Sequence, residues 1–521
     1  METRITTDND QLNQLYPTVK SFLEQDQVTY TIDAETVHGY RSPDCPALWI
    51  RDHSDIVRGA KYFAPDMTSA VTHFANTQLG NGSFFDFVTC NMDNENWTKY
   101  VRVPVEADVE YRFVKALYQG WQTTGNDEWL AQMLPHAEKA MHYIMTHPWR
   151  WHEEHQLVKR ALTMDTWDFD YISPDQPWLN FQITDETHWG IFYGDNAGYC
   201  EAFGLLAKLY AHLGQDEKAS HWKNQAQGIK ERANALCWNG RFYTHRIPLD
   251  DFRIQGVDEN EQLTLSNPMA INRGLSTHDM AVAMLKEYQH RKKTTGAFAE
   301  WFSLDPPYPD GCFGDPKLIG GAYINGGIFP LSGGELARAA FEHGFESYGV
   351  QILTQYANMI AESGETYLWY FPDGSPSSEE TSTSPEATAT DGWGSSAMLY
   401  AFVEGLAGVV DTDHLFKKIR LSPRWTAADI KQADVSVAYG PSDAGIQYTY
   451  AQHQDKLSLS ITGHSHVDLH TLLPQGHQAS AVTHNGHPLN FKHDTVENST
   501  YVDASFECQS TANIEITLSN I

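Results

Sequence analysis

Apolar residues along the first 400 or so positions recur with helical spacing, in segments that come in pairs. The clearest face follows alternating steps of three and four: Ala219, Trp222, Ala226, Ile229, Ala233 and Leu236. This period is typical of an amphipathic helix with one buried side. Paired helices are predicted in three stretches: 105–145, 195–236 and 333–361.

Each predicted pair turns at a glycine that an acidic residue soon follows. Gly125, Gly214 and Gly344 occupy these corners, which match the preference for glycine after a helix and for acids at a helix start. Further helices are predicted at about 9–24, 54–78, 276–290 and 392–410. A series of helical hairpins over residues 1–425 predicts a mainly α fold, an α/α barrel whose inner helices converge on one pocket. A plain helical solenoid is the alternative.

The pattern changes from about residue 430 to short segments rich in β-branched and aromatic residues. The segments are ADVSVAYG, GIQYTYAQ, KLSLSITG, SAVTHNG, TYVDASFE and ANIEITLS. Some alternate polar with apolar residues, and turn-forming residues separate them. Residues 426–521 are therefore predicted to form a small antiparallel β-sandwich.

The net charge of the chain makes two classes of binding partner unexpected. The chain of 521 residues has 36 Lys and Arg against 67 Asp and Glu, a formal net charge of −31. Such a field repels phosphate backbones and anionic lipid surfaces, so neither nucleic acid nor a membrane surface is an expected partner.

The cysteines and the N-terminus give no sign of a metal site or of export. The six cysteines are scattered without a CxxC pair, so no zinc site is predicted. No EF-hand pattern supports a calcium ion, and no cofactor is expected. The first residues, METRITTDNDQLNQLYP, lack the features of a secretory signal, and no apolar stretch is long enough to span a membrane. A cytoplasmic location is the default expectation, and the oligomeric state is not predicted.

Residues 163–171 read TMDTWDFDY and place three acids, Asp165, Asp168 and Asp170, among three aromatic residues. Apolar neighbours and nearby like charges both raise the pKa of a carboxyl group. The segment therefore suits a proton donor beside a sugar, whose ring packs well on aromatic faces. An acidic surface loop with its aromatic residues in the core is the alternative.

Three other predicted loops contain candidate ligand groups. LWIRDHSD places Trp49, Arg51 and Asp52 together, where they could hold sugar hydroxyls or form a buried ion pair at the start of a helix beginning at Ser54. In YGDNAGY, Asp195 or Asn196 is the predicted helix cap. ESGETYLWYFPDG again sets acids beside aromatic residues. Two carboxylates on separate loops that face one pocket are the minimum for cleaving a glycosidic bond.

These segments resemble, in order over residues 48–410, the motifs of two glycoside hydrolase families. MDTWDFDY resembles the Ser-Gly-Trp-Asp-Phe segment of trehalase-like (family 37) enzymes and the Gly-Trp-Asp-Asn segment of family 63 glucosidases and mannosylglycerate hydrolases. YINGGIFPLSGGELARAAFEHGF resembles their Asn-Gly-x-x-x-Pro-Leu helix opening, and ESGETY their Glu-Lys-Tyr segment. DGWGSSAMLYAFVEGLAGV resembles their late Gly-Phe-Gly-Trp-Thr-Asn helix. The C-terminal β-region looks more like that of α-L-rhamnosidase-like six-hairpin enzymes.

The resemblance implies an inverting glycosidase on an (α/α)6 barrel that acts on a small, α-linked glycoside or an oligosaccharide end. It assigns Asp168 as general acid and Glu365 as general base, with Glu362, Glu379, Glu380 and Glu386 as rivals for the base. The predicted sugar contacts are Trp49, Arg51, Asp52, Trp167, Asp170, Asn196, Tyr367 and Trp393. Thr166 replaces the glycine before the tryptophan, and the Ser-Ser-Arg-Trp of trehalases is missing, so trehalose is not the expected substrate.

Three other functions fit the same pattern. A glycoside phosphorylase would use phosphate in place of water and need a cationic pocket. A sugar epimerase would work with paired histidines, for which His53, His188 and His278 are candidates. A carbohydrate-binding protein would bind sugar without cleaving it.

Overall fold

The computed structural model describes residues 1–32, 34–42, 45–91, 96–100, 106–167, 171, 183–383 and 389–520. Helix accounts for 39% and strand for 25% of the chain. Helices therefore predominate, as predicted, with a substantial share of sheet.

The helices lie before residue 407. In chain order they are α1 Asp10–Asn13, α2 Leu15–Gln25, α3 Ile50–Ala60, α4 Ser69–Asn76, α5 Val109–Thr124, α6 Asp127–Thr146, α7 Tyr193–His212, α8 Asp216–Cys237, α9 Ser266–Asn272, α10 His278–Thr295, α11 Pro330–Glu342, α12 Glu346–Ser363 and α13 Gly392–Tyr400. A π-helical segment, Ala401–Leu406, continues α13, and a 3₁₀ turn, Trp425–Ala428, follows further along.

Six of these helices contact one another in a closed cycle. Helix α3 packs on α5, α5 on α7, α7 on α9, α9 on α11, α11 on α13, and α13 returns to α3. Helices α6, α8 and α12 pack against α5, α7 and α11 respectively. Helices α3 and α11 are buried along nearly their whole length, charged residues included, whereas the C-terminal part of α7 is partly exposed and has Lys208 at the surface.

The three predicted hairpins are confirmed as α5–α6, α7–α8 and α11–α12. Their corner glycines Gly125, Gly214 and Gly344 have φ values of 61°, 68° and 83°, the left-handed region that glycine enters without steric cost. The single helix predicted over 54–78 is wrong: α3 ends at Ala60 and α4 starts at Ser69. Pro65 lies between them, and a proline disfavours helical geometry at the preceding residue.

The strands form several sheets. They are β1 Arg4–Thr7, β2 Gln27–Ile32, β3 Glu35–Ser42, β4 Cys45–Trp49, β5 Phe87–Asn91, β6 Asn96–Tyr100, β7 Trp151–His152, β8 Leu157–Val158, β9 Arg160–Ala161, β10 Trp189–Ile191, β11 Ile247–Pro248, β12 Leu263–Thr264, β13 Leu304–Asp305, β14 Val409–Asp411, β15 Lys418–Leu421, β16 Gln432–Ala438, β17 Gly445–His453, β18 Lys456–Thr462, β19 Ser465–Leu472, β20 His477–His484, β21 His487–Pro488, β22 Lys492–Val496, β23 Ser499–Cys508 and β24 Thr511–Asn520.

Two larger sheets occupy the C-terminal part of the chain. One has the order β1-β16-β17-β18-β24-β20-β21, the other β14-β15-β19-β23-β22. They contact each other through β23 with β20 and β24, and buried residues alternate along β17, β18 and β24. All six predicted strand segments are present. The sheets are antiparallel except that β15 pairs parallel with β19. They also include β1, β14 and β15, which precede residue 426, so the domain boundary at 425/426 stays a prediction.

Five strands near the N-terminus, β2 to β6, form a sheet in sequential order. Strand β4 runs directly into α3, because Trp49 ends the strand and Ile50 begins the helix. None of the helices within the described residues combines the length and apolarity needed to cross a membrane.

We expect the contact between α11 and α13 to require glycine at position 334. A Cβ built there would lie 2.4 Å from the Ala397 carbonyl carbon. Gly334→Ala should therefore lower the free energy of unfolding by about 1–3 kcal/mol, the usual cost of overpacking.

Gly204→Ala in α7 is the matched control, because a Cβ at 204 meets no described atom within 4 Å. Alanine there should be neutral or stabilising by about 0.5–1 kcal/mol, since it restricts the unfolded chain. Urea unfolding of both variants tests the contact, and equal effects would contradict it.

Candidate active site

The N-terminal turns of the cyclic helices meet at one end of the bundle. Arg51, in the first turn of α3, donates from Nε and Nη2 to the two carboxylate oxygens of Asp108, both at 3.0 Å. Asp108 occupies the N-cap position of α5, and Arg51 also pairs with Glu106 just before it. A two-pronged arginine–carboxylate pair fixes orientation as well as distance, so this contact holds the starts of α3 and α5 together.

A second carboxylate, Asp55, lies one turn deeper and collects several cations. It accepts from Arg112 and, at 2.6 Å, from Lys115, and Arg58 Nη2 lies 3.7 Å away. Trp393 Nε1 donates to it from α13 at 2.8 Å. Burial raises the pKa of Asp55, but attraction by Arg112, Lys115 and Arg58 outweighs it, so the pKa lies well below its usual range.

Above this carboxylate lies a cluster of aromatic side chains. Trp167 stacks on Trp393 with ring centres 5.0 Å apart and planes 28° apart. Trp167 Nε1 donates to the Tyr323 hydroxyl at 3.0 Å, and Phe329 meets its ring edge-on. The Arg51 guanidinium lies 6.0 Å from the Trp167 ring centre. The cluster joins three predicted sugar contacts, Arg51, Trp167 and Trp393, in one place.

Of the two predicted catalytic residues, Asp168 and Glu365, the structure describes only Glu365. Asp168 lies outside the described residues, as do Asp170 and the rival base Glu386. Glu365 is half-buried just after α12, and Thr390 Oγ1 lies 3.4 Å from its Oε2. Thr390 directly precedes the cap of α13. The Glu365 carboxylate therefore lies close to the helix start that contains Trp393.

Three further predicted contacts lie on the flanking loops. Trp49 is half-buried and packs on Phe87 with ring centres 4.0 Å apart. Asp52 is buried in the first turn of α3. Tyr367 is half-buried against the edge of Tyr370, with ring centres 5.6 Å apart. Of these three, Trp49 and Tyr367 keep part of their rings accessible.

Two loop predictions need correction. Helix α3 starts at Ile50 rather than Ser54, and the partners of Arg51 are Asp108 and Glu106 rather than its neighbour in sequence. Helix α7 starts at Tyr193 after Phe192, so neither Asp195 nor Asn196 is its cap.

The side chain of Asn196 is fully used inside the protein. Its Oδ1 accepts from Val158 N at 2.9 Å, and its Nδ2 donates to the carbonyls of Val158 and Phe192. Asn196 is 0% exposed. This geometry fastens β8 to the start of α7 and does not support the predicted sugar contact.

Asp165 is also a structural residue. Its carboxylate accepts from Ser266 N, Ser266 Oγ and Thr166 N at 2.6–3.0 Å. Its own N–H donates to His245 Nε2 at 2.7 Å. With φ at 49°, an unusual value for a residue other than glycine, Asp165 anchors the turn that leads to Trp167 onto the start of α9.

Sequence reasoning missed the acids that organise this end of the bundle. Asp108 and Asp391 are the N-cap residues of α5 and α13, Asp55 lies in the second turn of α3, and Asp391 accepts from Trp393 N and Gly394 N. One pattern in the sequence could have revealed these acids. In IRDHSDIVR and ADVEYR, an aspartate and an arginine lie three or four residues apart, which places them on the same side of a helix.

A group of buried acids lies near Asp52. Burial raises the pKa of Asp26 well above its usual range, and the nearby carboxylates of Asp391 and Asp52 raise it further. A raised pKa favours the protonated form of a carboxyl group, which can donate a hydrogen bond.

The three histidines considered for an epimerase lie in separate surroundings. His53 is buried against Tyr40, and burial lowers its pKa to about 4. His188 stacks on Phe252 and pairs with Asp250, whereas His278 is an exposed neighbour of His343. His53, His188 and His278 therefore do not form one shared site.

Comparisons with known proteins point to glycosidase folds. No protein-family model matches this sequence, and no curated protein matches it. Among solved structures, the α-L-rhamnosidase of Dictyoglumus thermophilum aligns over 99% of this chain with a TM-score of 0.63 at 12% identity. The Streptomyces avermitilis α-L-rhamnosidase complexed with L-rhamnose aligns over 99% with a TM-score of 0.61 at 12% identity.

A smaller enzyme gives a second kind of match. The family 63 mannosylglycerate hydrolase of Thermus thermophilus, in complex with glucose, aligns over 75% of this chain and 99% of its own, with a TM-score of 0.51 at 14% identity. The present chain covers only 50% and 42% of the two rhamnosidases. These similarities show that the chain has a fold shared with six-hairpin glycosidases.

The ion cluster around Asp55 predicts that Asp55→Asn strongly lowers the free energy of unfolding. Asp55→Asn keeps the shape but leaves Arg112 and Lys115 buried without their carboxylate, which should cost about 3–5 kcal/mol of unfolding free energy. Glu261→Gln is the control, because its pair with Arg241 is exposed and should contribute less than about 1 kcal/mol. Urea unfolding of both variants measures the difference, and similar losses would contradict the assignment.

The raised pKa of Asp195 predicts that the stability of the folded protein falls as pH rises. Burial raises its pKa to about 6, even though Arg160 lies 3.3 Å away and lowers it. The folded protein thus favours the protonated form, so stability is lost as pH rises from about 4 through 6. Relative to Asp195→Asn, the wild type should lose up to about 3 kcal/mol across this window. Thermal unfolding at a series of pH values tests this; a constant difference, or one that grows in favour of the wild type, would refute it.

Proposed function

We propose that this protein is an inverting glycosidase that cleaves an α-linked bond of a small glycoside or of an oligosaccharide end. The cycle of six helices would be the inner ring of an (α/α)6 barrel, followed by a β-sandwich domain over 426–521. The single observation that carries the proposal is the Trp167–Trp393 pair at the meeting point of the helix N-termini. Trp167 directly precedes Asp168, the residue that the family resemblance assigns as general acid.

In the proposed reaction, Asp168 protonates the glycosidic oxygen and Glu365 removes a proton from the attacking water. A separation of about 6.5–9.5 Å between the carboxyl groups would admit that water and invert the anomeric centre. The 3.4 Å contact between Thr390 and Glu365 supports a position for the base close to the start of α13. No cofactor takes part in this chemistry.

The proposed sugar contacts are the accessible parts of the loops around the tryptophan pair. Trp49 and Tyr367 are half-buried and provide aromatic surface for a sugar ring. Asp52 and Asp170 would bind hydroxyl groups. Arg51 is held by Asp108 and Glu106, so its part is to keep Trp167 in position.

The named enzymes with this fold suggest the substrates to test first. Two are α-L-rhamnosidases and one is a mannosylglycerate hydrolase. A panel of α-linked glycosides should therefore include α-L-rhamnosides, mannosylglycerate and short α-glucosides. With no described membrane-spanning helix and no basic patch for nucleic acid in the sequence, we propose a carbohydrate as the main partner and the cytoplasm as the location.

Asp168→Asn and Glu365→Gln test the catalytic assignment. Each should lower kcat on the best substrate by about 10²-fold or more, because general acid and base groups contribute this much. Glu362→Gln is the matched control: it is an exposed acid three residues from Glu365 and should keep full activity. Full activity in Asp168→Asn would refute the assignment of the general acid. A large loss of kcat in Glu362→Gln alone would reassign the general base to Glu362.

The stereochemical outcome is tested separately. Proton NMR of the wild-type reaction should show the anomer opposite to the substrate as the first product. Retention would contradict the mechanism. Turnover should not depend on added phosphate, and a strict dependence would indicate a phosphorylase instead.

A further inference from the structure

A cavity lies among the cyclic helices next to the Asp55 ion cluster. It has a volume of about 150 Å³ and is lined by residues beyond the first turns of these helices. The contributions include Arg58 near the end of α3, Lys115 in α5, Lys208 in α7 and Arg273 directly after α9. None of the lining residues belongs to the tryptophan cluster, although Arg58 and Lys115 share the carboxylate of Asp55 with Trp393.

The lining has an excess of cations, which is unusual in a chain with a net charge of −31. The cations are Arg58, Lys61, Lys115, Lys208 and Arg273, and the carboxylates are Glu201, Glu335, Glu404 and Asp411. Arg58 and Lys61 are paired with Glu335 and Glu404, at 2.5 and 2.9 Å. Lys208 is exposed at the surface, so the cavity has a cationic entrance.

Two arginines of the lining each have a buried N–H group without a hydrogen-bond partner among the described residues. Arg273 is 7% exposed, and its Nη2 has no hydrogen-bond partner among the described residues. Its nearest carboxylate, Glu201, is 3.6 Å from Nε, which is too long for a hydrogen bond. Arg58 Nη2 likewise lacks a hydrogen-bond partner within the described chain. Buried groups of this kind are normally satisfied, because each unmade hydrogen bond costs about 1–3 kcal/mol.

Lys115 lies among charges of both signs. Burial has the largest effect and lowers its pKa to about 8; Asp55 and Glu201 raise the pKa, while Arg58 and Arg273 lower it. Arg58 and Arg273 are thus two cations near one cavity, and an anion bound between them would be attracted by both.

The lining also contains acceptors with no described hydrogen-bond donor. Gln119 Oε1 and Glu201 Oε2 are buried and unpaired by hydrogen bonds in the described part of the chain. Chloride and sulfate offer no hydrogen to such acceptors. Inorganic phosphate near neutral pH is an anion that still has an O–H group, so it can accept from arginine and donate to a carboxylate.

We propose that this cavity binds inorganic phosphate between Arg58 and Arg273, with a P–OH group donated to Glu201 or Gln119. The ligand is not a reactant, because no lining residue of the cavity is among the proposed catalytic or sugar-contact residues. The proposal therefore does not depend on the glycosidase assignment.

Isothermal titration of the full chain with sodium phosphate at constant ionic strength tests the proposal. We expect one site per chain and at least tenfold weaker binding of sulfate. Arg273→Gln should weaken phosphate binding at least tenfold, and Glu201→Gln should narrow the preference for phosphate over sulfate. Arg241→Gln is the matched control, since Arg241 is an exposed arginine paired with Glu261 outside the cavity, and it should bind like the wild type.

Because Lys208 is exposed, Lys208→Ala should fold like the wild type. It should weaken phosphate binding several-fold. Absence of phosphate binding to the wild type would overturn the proposal. Equal losses in Arg241→Gln and Arg273→Gln, or equal binding of phosphate and sulfate, would also overturn it, because they indicate a non-specific ion effect.

Discussion

The carboxylate of Asp55 is the interaction on which the helical core depends. It is buried at the centre of the cycle, where Arg112 and Lys115 of α5 and Trp393 of α13 all donate to it. Each donor comes from a helix adjacent to α3. One charged group therefore fixes the rotation of three helices about their axes, and the tryptophan pair inherits its position from that geometry.

Carboxylates gather at the starts of the cyclic helices. These N-termini carry the positive end of the helix dipole, and Asp52, Asp108, Asp195 and Asp391 lie there. Further along the helices, Arg58, Lys61 and Arg273 line the cavity together with carboxylates such as Glu201, Glu335 and Glu404. In the two proposals, the helix starts bind a neutral sugar and the cavity binds an anion.

Local patterns in the sequence predicted the local parts of the fold. The three glycine corners, the helix pairs and the C-terminal strands follow from period and turn chemistry, which are properties of neighbouring residues. The long-range contacts could not be predicted in this way. Arg51 meets Asp108 across 57 residues, and Asn196 turned inward to fasten β8, because such pairings depend on the closed cycle rather than on spacing. Trp167, Trp393 and Arg51 were selected from the motifs that contain them, and the structure brings the three together, but their contact with sugar stays a prediction.

Strand β1 has a consequence for the order of events during synthesis. Residues Arg4–Thr7 pair with Ala433–Ser436 of β16, so the whole stretch between them must be made before this ladder can close. Strand β1 thus waits for its partner through much of synthesis, and loop closure over such a length is slow. Until then, the edge of the C-terminal sheet is open to other chains, which makes nascent protein the form most exposed to aggregation.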